Sequence, residues 1–268
     1  MRQILVALMG LASLSLTGAA QAQSADDWDF GADPSRKLTV ASIDYGTYGV
    51  AVRCMDGVVS LTISGLPEAS GERDLSLSLA GGPSYTSQWI SGRNSPVAFA
   101  LWPRQLAGGL ARGGTLVISA PDGGLTRRYT MDLPRSEQSV ARTLAACGHT
   151  LEAPAPAGEN QVGLAWVNPP RPTPSNRADY ATYEQALAAV VCQIAPDGKL
   201  RDCEAESEFP PGSGWARASV VTAHREGRVR LTSGPGPIPP GRTIGFVSRL
   251  NWNDDLLPAT PSRLPLRE

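Results

Sequence analysis

Val190-Val191-Cys192-Gln193-Ile194-Ala195-Pro196-Asp197-Gly198-Lys199-Leu200-Arg201-Asp202-Cys203-Glu204-Ala205 is the stretch on which the fold turns. Two strand-forming runs flank Pro196-Asp197-Gly198, a strong hairpin signal. If Asp197-Gly198 is a two-residue turn, Ile194 faces Arg201 and Cys192 faces Cys203. Directly opposed residues have Cβ atoms about 4.5–5.5 Å apart, close enough to admit a disulfide. If all of Pro196-Asp197-Gly198 forms the loop, the register slips by one. The bridge is then diagonal or needs a second bulge.

Downstream of this hairpin, Ser213 to Glu226 reads as a helix. Ser213 is the expected N-cap, and Trp215, Ser219, Val220 and Ala223 share a face. Trp215 should fill the space above the hairpin, near Val190 and Ile194. Arg228–Leu231 and Thr243–Leu250 read as closing strands around Gly234-Pro235-Gly236-Pro237. The last strand is the candidate sheet edge, with Thr243, Gly245, Val247 and Arg249 as candidate partner-contact residues. Upstream, Tyr180 to Leu187 reads as a short helical lead-in. The C-terminal third is thus expected to be a small antiparallel sheet crossed by a helix.

Residues 37–133 alternate with period two. Val50, Val52 and Cys54, then Val59, Leu61 and Ile63, then Leu75, Leu77 and Leu79 carry the pattern. So do Val97, Phe99 and Leu101, and later Leu116 and Ile118. Turn signals at Asp56-Gly57, Gly81-Gly82-Pro83 and Pro121-Asp122-Gly123-Gly124 separate the runs. Such alternation means one buried and one wet face, and about seven short strands suggest a sandwich or open barrel. Residues 136–147 switch to helical spacing, and Gly148 stands where a helix C-cap glycine belongs. The fold class expected is mainly β with α+β.

The organisation expected is a signal peptide over 1–22, a β-rich domain over 23–151, a Pro-rich linker over 152–178, a second domain over 179–252 and a tail over 253–268. Ile4 to Leu16 is the apolar region of the signal peptide, and Ala20-Gln21-Ala22 is its cleavage site. Cleavage leaves Gln23 at the start and no stable membrane insertion. The localisation expected is the periplasm. There, four cysteines read as a disulfide framework. Bridges kept on one side of the linker are Cys54–Cys147 and Cys192–Cys203. Metal and redox readings lack a CxxC, and His149 and His224 fit no ligand pattern. No cofactor is expected.

The chain has 268 residues, 24 Lys+Arg and 25 Asp+Glu, so a nucleic-acid partner has no electrostatic support. At 41% hydrophobic and 18% charged, the composition is globular.

Val191-Cys192, Asp197-Gly198-Lys199-Leu200, Asp202-Cys203, Glu208, Pro210, Gly212, Gly214-Trp215, Ala218 and Gly241 together resemble the C-terminal domain of TonB-type energy transducers. The likeness runs over about residues 166–252 and is to the disulfide-bearing alphaproteobacterial variants. It implies a non-enzymatic module that contacts a cell-envelope partner by strand addition. The family's Tyr-Pro dipeptide before the first strand is missing. Its transmembrane anchor is replaced by a cleavable signal and a β-domain, so energy transduction is not carried over. The N-terminal β region faintly resembles invasion-associated locus B-type periplasmic domains.

Two alternatives stand beside this reading. One is a TonB-type transducer for outer-membrane transport whose N-terminus stays uncleaved. The other is an envelope hydrolase, using carboxylate pairs such as Asp254-Asp255 or Glu206/Glu208, or Ser136, Ser139 and His149. There is no nucleophile elbow, and adjacent or alternating acids on an exposed segment read as solvated surface.

Overall fold

The alternating runs of the first half form antiparallel strands, each burying its odd or even side chains on one sheet face. In the computed structural model, residues 28–152, 161–173 and 185–251 are described. The first half holds β1 (Asp29–Asp33), β2 (Leu38–Asp44), β3 (Gly49–Met55), β4 (Val58–Ser64), β5 (Ala69–Leu79), β6 (Tyr85–Ser95), β7 (Ala98–Ala100), β8 (Gly114–Asp122) and β9 (Leu125–Leu133). They make one curled half-barrel sheet in the order β1-β2-β3-β4-β7-β6-β5-β8-β9. The open-barrel alternative is therefore the one realised, with more strands than the turn signals suggested. Val52, Leu61, Ile63, Leu75, Trp89 and Ile118 are central to its core.

Two helices close the half-barrel, where the sequence suggested one. α2 (Glu137–Ala146) is the helix expected, and Cys54–Cys147, with Cα atoms 5.7 Å apart, ties its end to β3. α1 (Pro103–Ala111) was unforeseen, and the strand expected over Val97 to Leu101 shrinks to make room for it. Pro103 starts the helix, where its fixed φ suits the first turn. Leu106, Ala107, Leu110 and Ala111 are buried in the half-barrel core.

The second half holds β10 (Leu164–Asn168), β11 (Gln185–Ile194), β12 (Leu200–Phe209), α3 (Trp215–Glu226), β13 (Arg228–Leu231) and β14 (Thr243–Asn251). The hairpin adopts the three-residue loop. Ala195 N–H donates to Lys199 O at 2.9 Å, and Ile194 pairs with Leu200. Gly198 sits at φ +84°, and a Cβ there would lie 2.0 Å from Val229 O. The second bulge is at Asp202, φ +46°, between the pairs Gln193↔Arg201 and Val191↔Glu204. It returns Cys203 to Cys192, with Cα atoms 4.0 Å apart and the disulfide formed.

Three local expectations are corrected. Gln185 to Leu187 is strand rather than helix, because β11 is the buried central strand between β12 and β14. The remainder of that expected helix lies outside the described residues. The closing strand β13 does not join this sheet; it pairs with β10, a strand inside the Pro-rich connector. Trp166 of β10 meets Phe246 edge-on, centroids 5.6 Å apart. Finally, Gly214 at φ +79° is the N-cap of α3, one residue beyond Ser213. Glu208 supplies the missing acceptors, taking Gly212 N–H and Ala216 N–H at 2.9 Å each.

Trp215 is 1% exposed, clusters with Val190, Cys192 and Ile194, and donates Nε1–H to Ser248 O at 3.3 Å. The two halves also share a core. Ile90 and Leu101 meet Leu187, Ala189, Phe209 and Val247 there. The Ser207 hydroxyl donates to Leu101 O at 2.7 Å across the same seam. Among the described residues no helix is long and apolar enough to cross a membrane. The expected signal peptide and tail, including Asp254-Asp255, lie outside the described residues.

Candidate functional site

β5 ends at Leu79, and the chain turns through Ala80 (φ +49°) and Gly81 (φ +72°) into β6 at Tyr85. This hairpin end faces the last turn of α1. Gly108 and Gly109 make the meeting possible. A Cβ on Gly108 would lie 2.2 Å from Leu151 O, so only glycine lets that backbone approach. A Cβ on Gly109 would lie 3.0 Å from Leu79 Cδ2 and 3.8 Å from an Arg112 guanidinium nitrogen, Nη2. The bare Gly109 backbone leaves space beside Leu79 and Arg112.

That space is a cavity of about 350 Å³ between α1 and the half-barrel. Ile63, Leu77, Trp89, Leu106, Leu110 and Leu116 are its buried lining; Pro83, Tyr85 and Arg112 are exposed at its rim, with Gln105 half-buried beside them. Burial pushes the Tyr85 phenol above its ordinary value, so it keeps its proton at neutral pH. Among the described residues the lining contains no carboxylate, imidazole, thiol or aliphatic hydroxyl. Its polar groups can orient a bound molecule.

The other polar concentration lies at the seam between the halves. Arg104 of α1 donates Nε–H to Glu206 Oε2 at 2.8 Å and a second N–H to Glu206 Oε1. It also reaches Glu204 Oε2 at 3.4 Å and His149 Nδ1 at 3.0 Å. Arginine only donates, so Nδ1 accepts and the neutral ring carries its proton on Nε2. Burial, then the charge of Arg104, holds the His149 pKa below the usual value. Glu206 is 2% exposed and Glu208 7%, which corrects their reading as solvated surface. Both are committed: Glu206 to Arg104, Glu208 to the start of α3.

The remaining residues singled out from the sequence are dispersed. Ser136 and Ser139 are buried, and Ser139 donates to Trp28 O at 2.8 Å while His149 faces Arg104. His224 Nε2 accepts Cys203 N–H at 3.1 Å. Cys54, Cys147, Cys192 and Cys203 are all in disulfides. Among the described residues no group of three or more potential ligands could hold a metal ion. Thr243, Gly245, Val247 and Arg249 lie on β14, at one end of the strand order β12-β11-β14. Val247 is in the shared core, and Arg249 forms a two-pronged ion pair with Glu72 of β5 at 2.5 and 2.6 Å.

The class these features define is an antiparallel half-barrel closed by two helices, packed on a smaller disulfide-braced sheet with a helix across it. No family model, no curated protein and no solved structure matches the chain.

Proposed function

We propose that this chain is an exported, non-enzymatic binding protein whose ligand site is the cavity between α1 and the β5–β6 hairpin. The observation that carries the reading is the cavity itself. Its volume, about 350 Å³, falls within the range of small-molecule pockets, and its lining is apolar with a few polar groups at the rim. Two disulfides fit an oxidising compartment and support export.

The test uses a neutral fluorescent probe small enough for the cavity, 1-naphthylamine. Its emission should rise on binding the protein and fall away in Gly109→Leu, whose side chain enters the cavity beside Leu79. Emission unchanged by that substitution would place binding elsewhere and overturn the reading.

Contact of the C-terminal sheet with an envelope partner is the second reading. The resemblance to TonB-type domains and the terminal position of β14 support it. Against it, two of the four strand residues already serve the seam. A pull-down of envelope proteins with the exported chain tests this reading.

A further inference from the structure

Resting on the cavity as the ligand site, we propose that its ligand is a free single-chain organic acid of about ten to twelve non-hydrogen atoms. The carboxylate sits against Arg112 at the rim, and the chain lies beneath α1.

Size limits the ligand first. At about 30 Å³ per water-sized group, the cavity has room for about a dozen such groups. Two acyl chains or a folded peptide segment do not fit that space. The lining then selects apolar character for the enclosed part. Ile63, Leu77, Leu106, Leu110 and Leu116 present only hydrocarbon, so a polar group placed against them loses its water without a partner; Trp89 adds one buried indole N–H that has no partner among the described residues.

The rim decides the charge. Among the described residues, Arg112 is the only charged one lining the cavity. Its guanidinium lies beside Gly109, on the open side of the helix's last turn. Arg104, Arg127, Arg225 and Arg249 are each paired with a carboxylate, whereas Arg112 has no ion-pair partner among the described residues. An exposed guanidinium beside an apolar cavity matches a carboxylate in both geometry and charge. Tyr85 and Gln105 add neutral donors at the same rim. A cationic head would face Arg112 with no acid in the lining to meet it.

The experiment is calorimetric titration of the whole protein at low salt with decanoate, 1-decanol and decyltrimethylammonium, each below its micelle concentration. Decanoate should bind about tenfold more tightly than 1-decanol, the increment of one charge-assisted contact. Arg112→Gln, a surface change that spares the core, should abolish that preference. Equal binding of acid and alcohol, or a preference that survives Arg112→Gln, overturns the head-group assignment while the cavity reading stands. If none of the three binds although the neutral probe does, the single-chain ligand is wrong. If the probe fails as well, the cavity reading itself fails. Flotation with phosphatidylglycerol vesicles that decanoate does not compete away would put the acid on a membrane lipid and overturn the free acid.

Discussion

Arg104 on α1 and Glu206 on β12 form a two-pronged ion pair that joins the half-barrel to the smaller sheet. Their side chains are 10% and 2% exposed, so both charges have left water for each other. Burial works against the Arg104 charge, and the Glu206 and Glu204 carboxylates together more than offset it, so the arginine pKa is raised. Such a pair adds little over a well-packed apolar pair, yet breaking it strands a buried charge. Glu206→Ala should therefore cost about 3–5 kcal/mol, and Arg104→Met with Glu206→Leu much less. Urea unfolding of the two variants measures the difference. Equal losses would mean that water replaces the missing partner.

The shared core makes a second prediction. Phe209 meets Phe99 edge-on with ring centroids 5.2 Å apart, and it lies among Ile90, Leu101, Leu187 and Val247. Residues from both halves lose apolar contacts together if either unfolds. Backbone and side-chain signals should show one coincident transition across the protein, in place of the two separate ones a simple spacer between domains implies. Phe209→Ala should shift that single transition, at a cost of about 3–5 kcal/mol. Two separated transitions, only one of them moved, would make the halves energetically independent.

What the sequence disclosed follows from which forces act locally. Val50, Val52 and Cys54 alternate because one sheet face is buried, and that signature needs no knowledge of the partner strand. Both disulfide pairings follow from keeping each bridge on one side of the Pro-rich connector, and the second bulge at Asp202 was one branch of the hairpin arithmetic. α1 was hidden because two adjacent glycines weaken a helical pattern, and the backbone that requires Gly108, at Leu151 O, is distant in sequence. Gln185 to Leu187 read as helix because Ala and Leu favour helices, but burial between two strands overrides propensity. Glu206 and Glu208 alternate as surface acids do, and their partners Arg104 and Ala216 come from other elements. The cavity was invisible for the same reason: its lining is assembled from β4, β5, β6, α1 and β8. Two adjacent glycines among Leu106, Ala107, Leu110 and Ala111 were the one usable signal.

Trp215 opens α3 and is nearly inaccessible, with its indole N–H on Ser248 O. Truncation would open a cavity bounded by the hairpin disulfide and leave Ser248 O without that donor. Trp215→Ala should cost about 3–5 kcal/mol, and Trp215→Phe distinctly less, since the ring volume is mostly kept. Thermal or urea unfolding of both variants checks it. A change of a few tenths of a kcal/mol in Trp215→Ala would mean that the helix repacks without the indole.

His149 gives the seam a pH dependence with a definite sign. Its pKa is held below the ordinary 6.5, first by burial and then by the charge of Arg104, with Glu204 and Glu206 pulling the other way. The folded protein therefore binds fewer protons than the unfolded chain around and below pH 6.5. Stability from this group is complete above the unfolded pKa and is lost as pH falls through the lower folded value. Protonation also removes the lone pair that accepts from Arg104. The urea midpoint should fall between about pH 7.5 and pH 5.5, and His149→Gln should flatten that fall, because its amide oxygen still accepts but does not titrate. An equally steep fall in His149→Gln would assign the acid sensitivity to other groups.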